Sequence, residues 1–434
     1  MDHLFKKFFD IYTKYIPKEY KEIFSKEDLE QFVQDRFEFL FLKEKEIHLD
    51  CQNPINKWPY HLSIIQINLK DMPFIVDTVL DYLKSEKYRI NRLINTIFYT
   101  KREQHKLIDI SEKEENDYQR ESFIYLEIEK LPDEQLESIK NKIYHNLKEL
   151  ELIVKDFPKT NQILKDLTFN DDELNHTKNW ILENFVQMGL LIYSKNKILH
   201  QLGILKKEEN KKIVLKEIES LSKPTGENIV FKESYIKSNV KRYKPLHVII
   251  FFYKDELYIL LGSFAGKGEL TPRFLIPPIR KKMDYIAKLL NAPIYGFKYK
   301  EIYKISQLIP LGILFSRDIN ILKEWMDFFI NNLYTSEQKI FIKEDKSYNG
   351  VWVLIVELQK YADTNENLIK KLKDYQILAD TYFKRTYNQF LYTFLFLKSS
   401  NQSLKQLKEL LTKKSDEIFY SWYDQFLKHI TYVE

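Results

Sequence analysis

Apolar positions along this chain change period several times, and each change marks an element. Residues 60–70, YHLSIIQINLK, alternate and predict a strand. Residues 73–87 place Ile75, Val76, Val79, Leu80 and Leu83 on one helical face. Residues 88–103 return to a strand pattern, a charged hairpin excursion follows, and 122–131, SFIYLEIEKL, form another strand. Residues 132–157 read as a helix opening at Pro132, with a short strand as an alternative reading of its close. The order β-α-β-β-α, with a final β at that close, is the ferredoxin-like split βαβ.

The flanking regions are patterned differently. Residues 1–50 predict two or three helices, one of them with Ser25 as N-cap and Glu27 and Asp28 in its first turn. Residues 51–59, CQNPINKWP, read as a turn-rich linker. Residues 158–215 read as mainly helical, including NWILENFVQMGLL, with a short hairpin near 193–205. In 216–335 a hairpin spans 246–264 and turns at Lys254 and Asp255; helices follow at 277–292 and 318–334. Residues 336–434 repeat the β-α-β-β-α order, with helices over 364–375 and 403–430. The expected division is therefore a helical segment over 1–55, a first module over 56–157, a helical linker over 158–215, a middle α+β module over 216–335, and a third module over 336–434. The fold class expected is α+β: several ferredoxin-like βαββαβ modules with intervening helical segments.

Composition narrows the function. With 44% hydrophobic and 15% aromatic residues the chain can bury a core. No apolar run approaches the roughly 18 residues that span a bilayer, and the first 20 residues lack the h-region of a secretory leader. A single cysteine, Cys51, excludes an internal disulfide framework and a cysteine-rich zinc site. A cytoplasmic protein with no membrane partner is expected. The 68 basic residues face 63 acidic ones, so the surface is mixed and no nucleic-acid partner is expected. The densest basic stretch, 235–247, carries Lys237, Lys241, Arg242 and Lys244 beside Tyr243; it reads as a solvated loop before a strand.

Glycine changes the picture most: 9 residues, about 2%, against a usual share of about 7%. Nucleotide-binding enzymes use glycines where backbone approaches phosphate. Here GSFAGKGEL (262–270) matches neither dinucleotide nor P-loop spacing. The nine histidines show no H-x-x-x-H pair, and there is no G-x-S-x-G. Cys51 has no basic neighbour nearby in sequence and reads as an ordinary thiol. Acidic pairs such as Asp171–Asp172 and Asp133–Glu134 lie at helix starts, where the helix dipole accounts for them. No catalytic residue, metal ligand or cofactor site is predicted in the chain.

Several stretches, taken in order, resemble the N-terminal region of the large NAD-dependent glutamate dehydrogenases. DMPFIVDTV (71–79) is similar to that family's D-M-P-F-L-V-D-S-V. YIPKEYKEIFSKEDL (15–29) is similar to its leading helical segment. NWILENFVQMGLLIYS with LGIL (179–204) is similar to its W-L-x-x-x-x-F-x-x-x-G block. LLGSF and IPPIRKKM (260–283) are similar to its L-G-L-F and I-P-L-L-R-R-K-V, and EIFYSWYDQF (417–426) to its S-W-x-D-x-L stretch.

The resemblance implies three ACT-like regulatory modules ahead of a catalytic part that these residues do not reach. NAD is implied only for that catalytic part. The partners implied are further copies of the chain, a separately encoded glutamate dehydrogenase catalytic chain, and an amino-acid effector. The alternative is a stand-alone amino-acid-sensing ACT protein. ACT modules elsewhere bind small effectors, often amino acids, at the first strand–helix turn and at module interfaces; that turn maps here to Asp71, Met72, Pro73, Phe74 and Asp77. Asp71 would cap the helix or meet an α-amino group, and Pro73 would stand at its first position. Where that turn usually carries a glycine after the proline, this sequence has Phe74. Either an effector site or a structural corner is open on these residues.

Overall fold

The computed structural model describes residues 2–54, 61–195, 197–219, 228–240, 245–264, 267–333, 339–345, 350–358, 379–387 and 390–398. The chain forms two compact units, 1–265 and 266–434.

The first unit opens with helices α1 (Asp2–Tyr15), α2 (Lys18–Lys21) and α3 (Lys26–Phe41). The Ser25 hydroxyl caps α3 by accepting the Asp28 N–H at 3.1 Å. Then come β1 (His48–Gln52), β2 (Leu62–Lys70), α4 (Ile75–Ser85), β3 (Ile90–Glu103), β4 (Lys106–Ser111), β5 (Gln119–Glu129) and α5 (Asp133–Lys165). The strands form one antiparallel sheet in the order β1-β2-β5-β3-β4. Alternation sends Ile65, Ile67 and Leu69 of β2 into a core shared with α4 and α5. Ile64, Ile94, Phe98, Phe123 and Tyr125 point the other way, into a core built with α1 and α3. Helices therefore cover both faces, which is why β2 and β5 are buried along nearly their whole length.

Two elements differ from the sequence pattern. No strand follows the 132–157 helix; it continues as α5 through Pro158 to Lys165. The edge beside β2, where the last strand of a split βαβ would lie, is taken by β1, with His48 opposite Asn68 and Gln52 opposite Ile64. Residues 51–52 thus leave the expected linker and join a strand. Only Leu49 of β1 is fully buried, so five residues carried no alternation to detect.

The second sheet uses α6 (Asp172–Asn184), β6 (Phe185–Ser194), β7 (Lys197–Gly203), α7 (Glu208–Glu219), β8 (Ile229–Lys237), β9 (Pro245–Tyr253) and β10 (Glu256–Phe264). Its order is β7-β6-β10-β9-β8, again all antiparallel. Here 185–191 is strand, not the helix expected from the pattern. The run FVQMGLLI is buried on both faces, and a buried strand cannot be told from a buried helix by periodicity alone. Helix α5 packs against β1 and also against β6 and β7, so a single apolar core runs from the first sheet to the second.

The second unit contains α8 (Lys267–Leu270), α9 (Pro277–Leu289), α10 (Phe297–Leu308), α11 (Leu311–Ser316) and α12 (Ile319–Asn331). They are followed by β11 (Lys339–Asp345), β12 (Gly350–Leu358), β13 (Ala379–Tyr387) and β14 (Phe390–Lys398), in the order β11-β12-β14-β13. That order repeats β1-β2-β5-β3 in both space and chain sequence. An aromatic cluster joins α12 to the sheet, with Trp325 at 4.8 Å from Trp352 and Phe329 at 5.2 Å from Phe394. The helices expected over 364–375 and 403–430 lie outside the described residues.

Candidate functional site: the turn between β2 and α4

The turn at 71–77 is built from both ends. β2 pairs with β5, and the ladder runs one step past the strand because the Asp71 N–H donates to the Arg120 carbonyl at 2.9 Å. This places the Asp71 side chain over β5. Its carboxylate accepts a hydrogen bond from the Ser122 hydroxyl and pairs with the Arg120 guanidinium at 3.0 Å. Asp71 is thus committed to the sheet and does not cap the helix, contrary to the expectation above. Nor does Pro73 occupy the first helical position; α4 begins at Ile75.

Phe74 is the residue at the helix cap, and its backbone is left-handed, with φ 72° and ψ 11°. That is the conformation glycine favours, adopted here by an aromatic residue. Its carbonyl accepts from the Thr78 N–H at 2.9 Å and from the Thr78 hydroxyl at 2.7 Å, closing the first turn. The Phe74 and Met72 side chains pack against the apolar core under the sheet. Asp77 is exposed and sits in the first turn, where its charge complements the helix dipole.

The structure therefore brings Asp71 together with two residues that pattern reasoning missed, Arg120 and Ser122, and leaves Asp77 apart from them. The register of β2 on β5 supplies that link, and no single stretch of sequence contains it. Chemically the turn offers a paired carboxylate at a strand end and a helix start without a side-chain cap. An arriving ammonium group would compete with Arg120, which is the more exposed partner.

The other sequence candidates are plain in the structure. Cys51 lies in β1; burial, then the adjacent Asp50, push its thiol up to about 12, so it stays protonated. Arg273 and Lys282, in and beside the IPPIRKK block, bind main chain. Arg273 donates to the carbonyls of Glu269, Thr271, Ser306 and Ile309, and Lys282 to those of Leu314, Phe315 and Arg317. Lys237 is exposed, whereas Lys241, Arg242, Tyr243 and Lys244 lie outside the described residues. Among the described residues no group of acidic, histidine or cysteine side chains could hold a metal ion, and no helix is long and apolar enough to cross a membrane.

Residues 8–143 match the family model described as glutamate dehydrogenase, ACT1 domain. No curated protein matches the chain. The matched span starts inside α1 and ends inside α5, so it takes in the helical cover, the whole first sheet and the candidate turn. Over those residues, about a third of the sequence, the chain is similar to the ACT1 domain of glutamate dehydrogenases.

Proposed function

We propose that this chain is a non-catalytic regulatory or assembly portion of an NAD-dependent glutamate dehydrogenase. The oxidation of glutamate to 2-oxoglutarate would be carried out by catalytic residues outside this sequence, on a separate chain that associates with it. The observation that carries this reading is the family match across the complete helix-covered sheet. The antiparallel sheets add a physical reason for assembly: among the described residues β8 ends the second sheet, and a sheet edge pairs readily with further strands. NAD would bind the catalytic partner alone. An amino-acid effector would enter at Asp71–Asp77, its α-amino group replacing Arg120 beside Asp71.

The test is affinity purification of the tagged chain from its native cells, with mass spectrometry of what co-purifies and an assay of NAD-dependent glutamate oxidation in the eluate. A stoichiometric dehydrogenase partner with activity is the expected result. An inactive chain purified alone overturns the proposal. Thermal shifts with the twenty amino acids, on the wild type and on Asp71→Asn, then show whether the turn takes an effector.

A further inference from the structure

Among the described residues, half of the large apolar side chains that stand exposed lie in one short stretch, 270–297. Five of them gather where α9 turns into α10: Tyr285, Leu289, Ile294, Tyr295 and Phe297. The interior of this helical hairpin uses other residues. Ile279, Met283 and Ile286 of α9 and Ile302 and Ile305 of α10 are fully buried, so the exposed set is surplus to the core. Ile294 and Tyr295 are the two central residues of a tight turn, which the Gly296 N–H closes by donating to the Pro293 carbonyl at 2.9 Å. These two side chains project furthest, at 71% and 79% exposure. The turn is fixed on the end of α9. The Ala292 N–H donates to the Ala287 carbonyl, and the Lys298 ammonium to the Leu290 carbonyl, both at 2.9 Å.

The same tip is cationic. Residues 285–300 contain three lysines and no carboxylate. Lys288 and Lys300 are exposed, as is Lys281 one turn before Tyr285. The carboxylates on either side are engaged. Asp284 accepts from the Tyr299 and Tyr303 hydroxyls, both at 2.7 Å, and Glu301 is buried and paired with Lys304 at 2.7 Å. Charge complementarity therefore calls for an anionic occupant that also covers separate, projecting apolar side chains. A second copy of the tip would bring like charges together. A protein would need a pocket for each projecting side chain, whereas the headgroup region of a bilayer yields around them and favours aromatic rings at that depth.

We propose that the α9–α10 tip docks on the surface of a bilayer that carries anionic lipid. Ile294, Tyr295 and Phe297 enter the boundary between headgroups and acyl chains, and Lys288 and Lys300 meet the lipid charge. Among the described residues no helix is long and apolar enough to cross a membrane, so the contact is peripheral. The expectation of no membrane partner draws on spanning runs and a secretory leader, and a turn of this size registers as neither. The inference does not depend on a dehydrogenase partner, since binding is measured on this chain alone.

The test is flotation of the full chain with vesicles of phosphatidylcholine alone and with about a third phosphatidylserine, at low and at near-physiological salt. Binding at least tenfold stronger to the anionic vesicles is expected, and it should weaken as salt rises. The Ile294→Ser, Tyr295→Asn double variant should reduce it at least tenfold. Both residues are exposed, and asparagine tolerates the left-handed backbone of Tyr295, so thermal unfolding should be unchanged. The Lys288→Gln, Lys300→Gln variant should lose the preference for anionic over neutral vesicles. Phe157→Ser, which removes an exposed aromatic ring on α5, should bind like the wild type. No binding to either vesicle, equal binding to both, or full binding by the tip double variant would each overturn the proposal. A chain that ignores vesicles, while its tip variant loses an acidic protein that co-purifies with the wild type, would likewise overturn it and give the surface to a protein.

Discussion

The two five-stranded sheets of residues 1–265 share a layout and differ in wiring. In each, two central strands pair with each other and carry one neighbour on one side and two on the other. In the first sheet the lone edge strand, β1, comes before its neighbour in sequence. In the second it comes after, as the hairpin partner β7. The first sheet reaches its far side through β3 and β4 and returns with β5, while the second runs a β8-β9-β10 meander back to the centre. The shared layout reflects antiparallel pairing with covered faces, and the wiring reflects local turns. Their interiors differ as well. Under α1–α3 the first sheet buries Glu121 and Glu127 on β5, with Arg36 on α3 lying over the Tyr125 ring at 4.7 Å. Around the second sheet, the buried carboxylates Glu149, Asp156 and Glu217 lie on helices, not strands.

The largest expected effect tests that contrast. Glu121 is fully buried and accepts two bonds from Arg102, both 2.9 Å, and one from Lys43 at 2.9 Å. Glu121→Gln would leave two nearly buried cations without their counter-charge, a loss of about 3–5 kcal/mol. Glu149 pairs with Lys207, whose side chain is 41% exposed, so water replaces much of what Glu149→Gln removes. The cost there should be about 1 kcal/mol. Urea denaturation of both variants measures the difference. Equal losses would mean that the charges beneath the first sheet are no more tightly held than those around the second.

A second contrast concerns glycine. None occurs before Gly189. The second sheet uses glycine where backbone comes close: Gly203 has φ 60°, and a Cβ there would lie 2.1 Å from the Met188 carbonyl oxygen. The Gly203 N–H also donates to Asp156 at 2.7 Å, tying the end of β7 to α5. Gly203→Ala should cost about 2–3 kcal/mol from backbone strain, and more if β6 and β7 must separate. Thermal unfolding gives the number, and a loss below about 0.5 kcal/mol would show that this corner relaxes freely.

The two regions should also respond to pH with opposite signs. Burial alone would raise the Glu121 carboxyl, but Arg102 and Lys43 overcome it and hold the pKa below the usual range. Its stabilisation is then complete above the unfolded value of about 4.3 and is lost as pH falls through the lower folded value. Burial raises the Glu217 carboxyl, only partly offset by the Tyr235 N–H, the Ser234 hydroxyl and Lys232. A raised carboxyl favours the fold at low pH, and that contribution is lost as pH rises from about 4.3 through the folded value. Stability of Glu121→Gln relative to wild type should therefore improve on acidification below pH 4, while that of Glu217→Gln should improve as pH rises above about 4. Parallel pH curves for the two variants would remove the distinction.

Much of this was legible in the sequence. Strands β2, β3 and β5 and helices α4 and α5 follow from apolar periodicity, and DMPFIVD, which carried the resemblance, lies inside the matched span. Three things were not legible. Strand β1 has one buried side chain to announce it, and β6 is apolar on both faces. The partners of Asp71 depend on how β2 registers with β5, which involves residues some fifty positions apart.

The smallest expected effect concerns how the glycine-free region turns its corners. It places Phe74, Lys87, Gln104 and Asp117 at positive φ. Lys87 is exposed and ends α4 with φ 65°; its N–H donates to the Lys84 carbonyl at 3.0 Å, and the Tyr88 N–H to Leu83 at 2.9 Å. That is a helix end at which glycine is usually preferred. Relief of left-handed strain, about 1–2 kcal/mol, should exceed the extra unfolded-state freedom of glycine. Lys87→Gly should therefore stabilise the protein by about 0.5–1 kcal/mol. At Phe74 the same conformation comes with a packed ring, so the informative pair is Phe74→Gly against Phe74→Ala, both of which lose that ring. Glycine should be the more stable by about 1 kcal/mol, the reverse of the order inside a helix. If alanine wins, the backbone at 74 moves out of the left-handed region once the ring is gone. The packing of Phe74 under the sheet would then be what holds the turn in its shape.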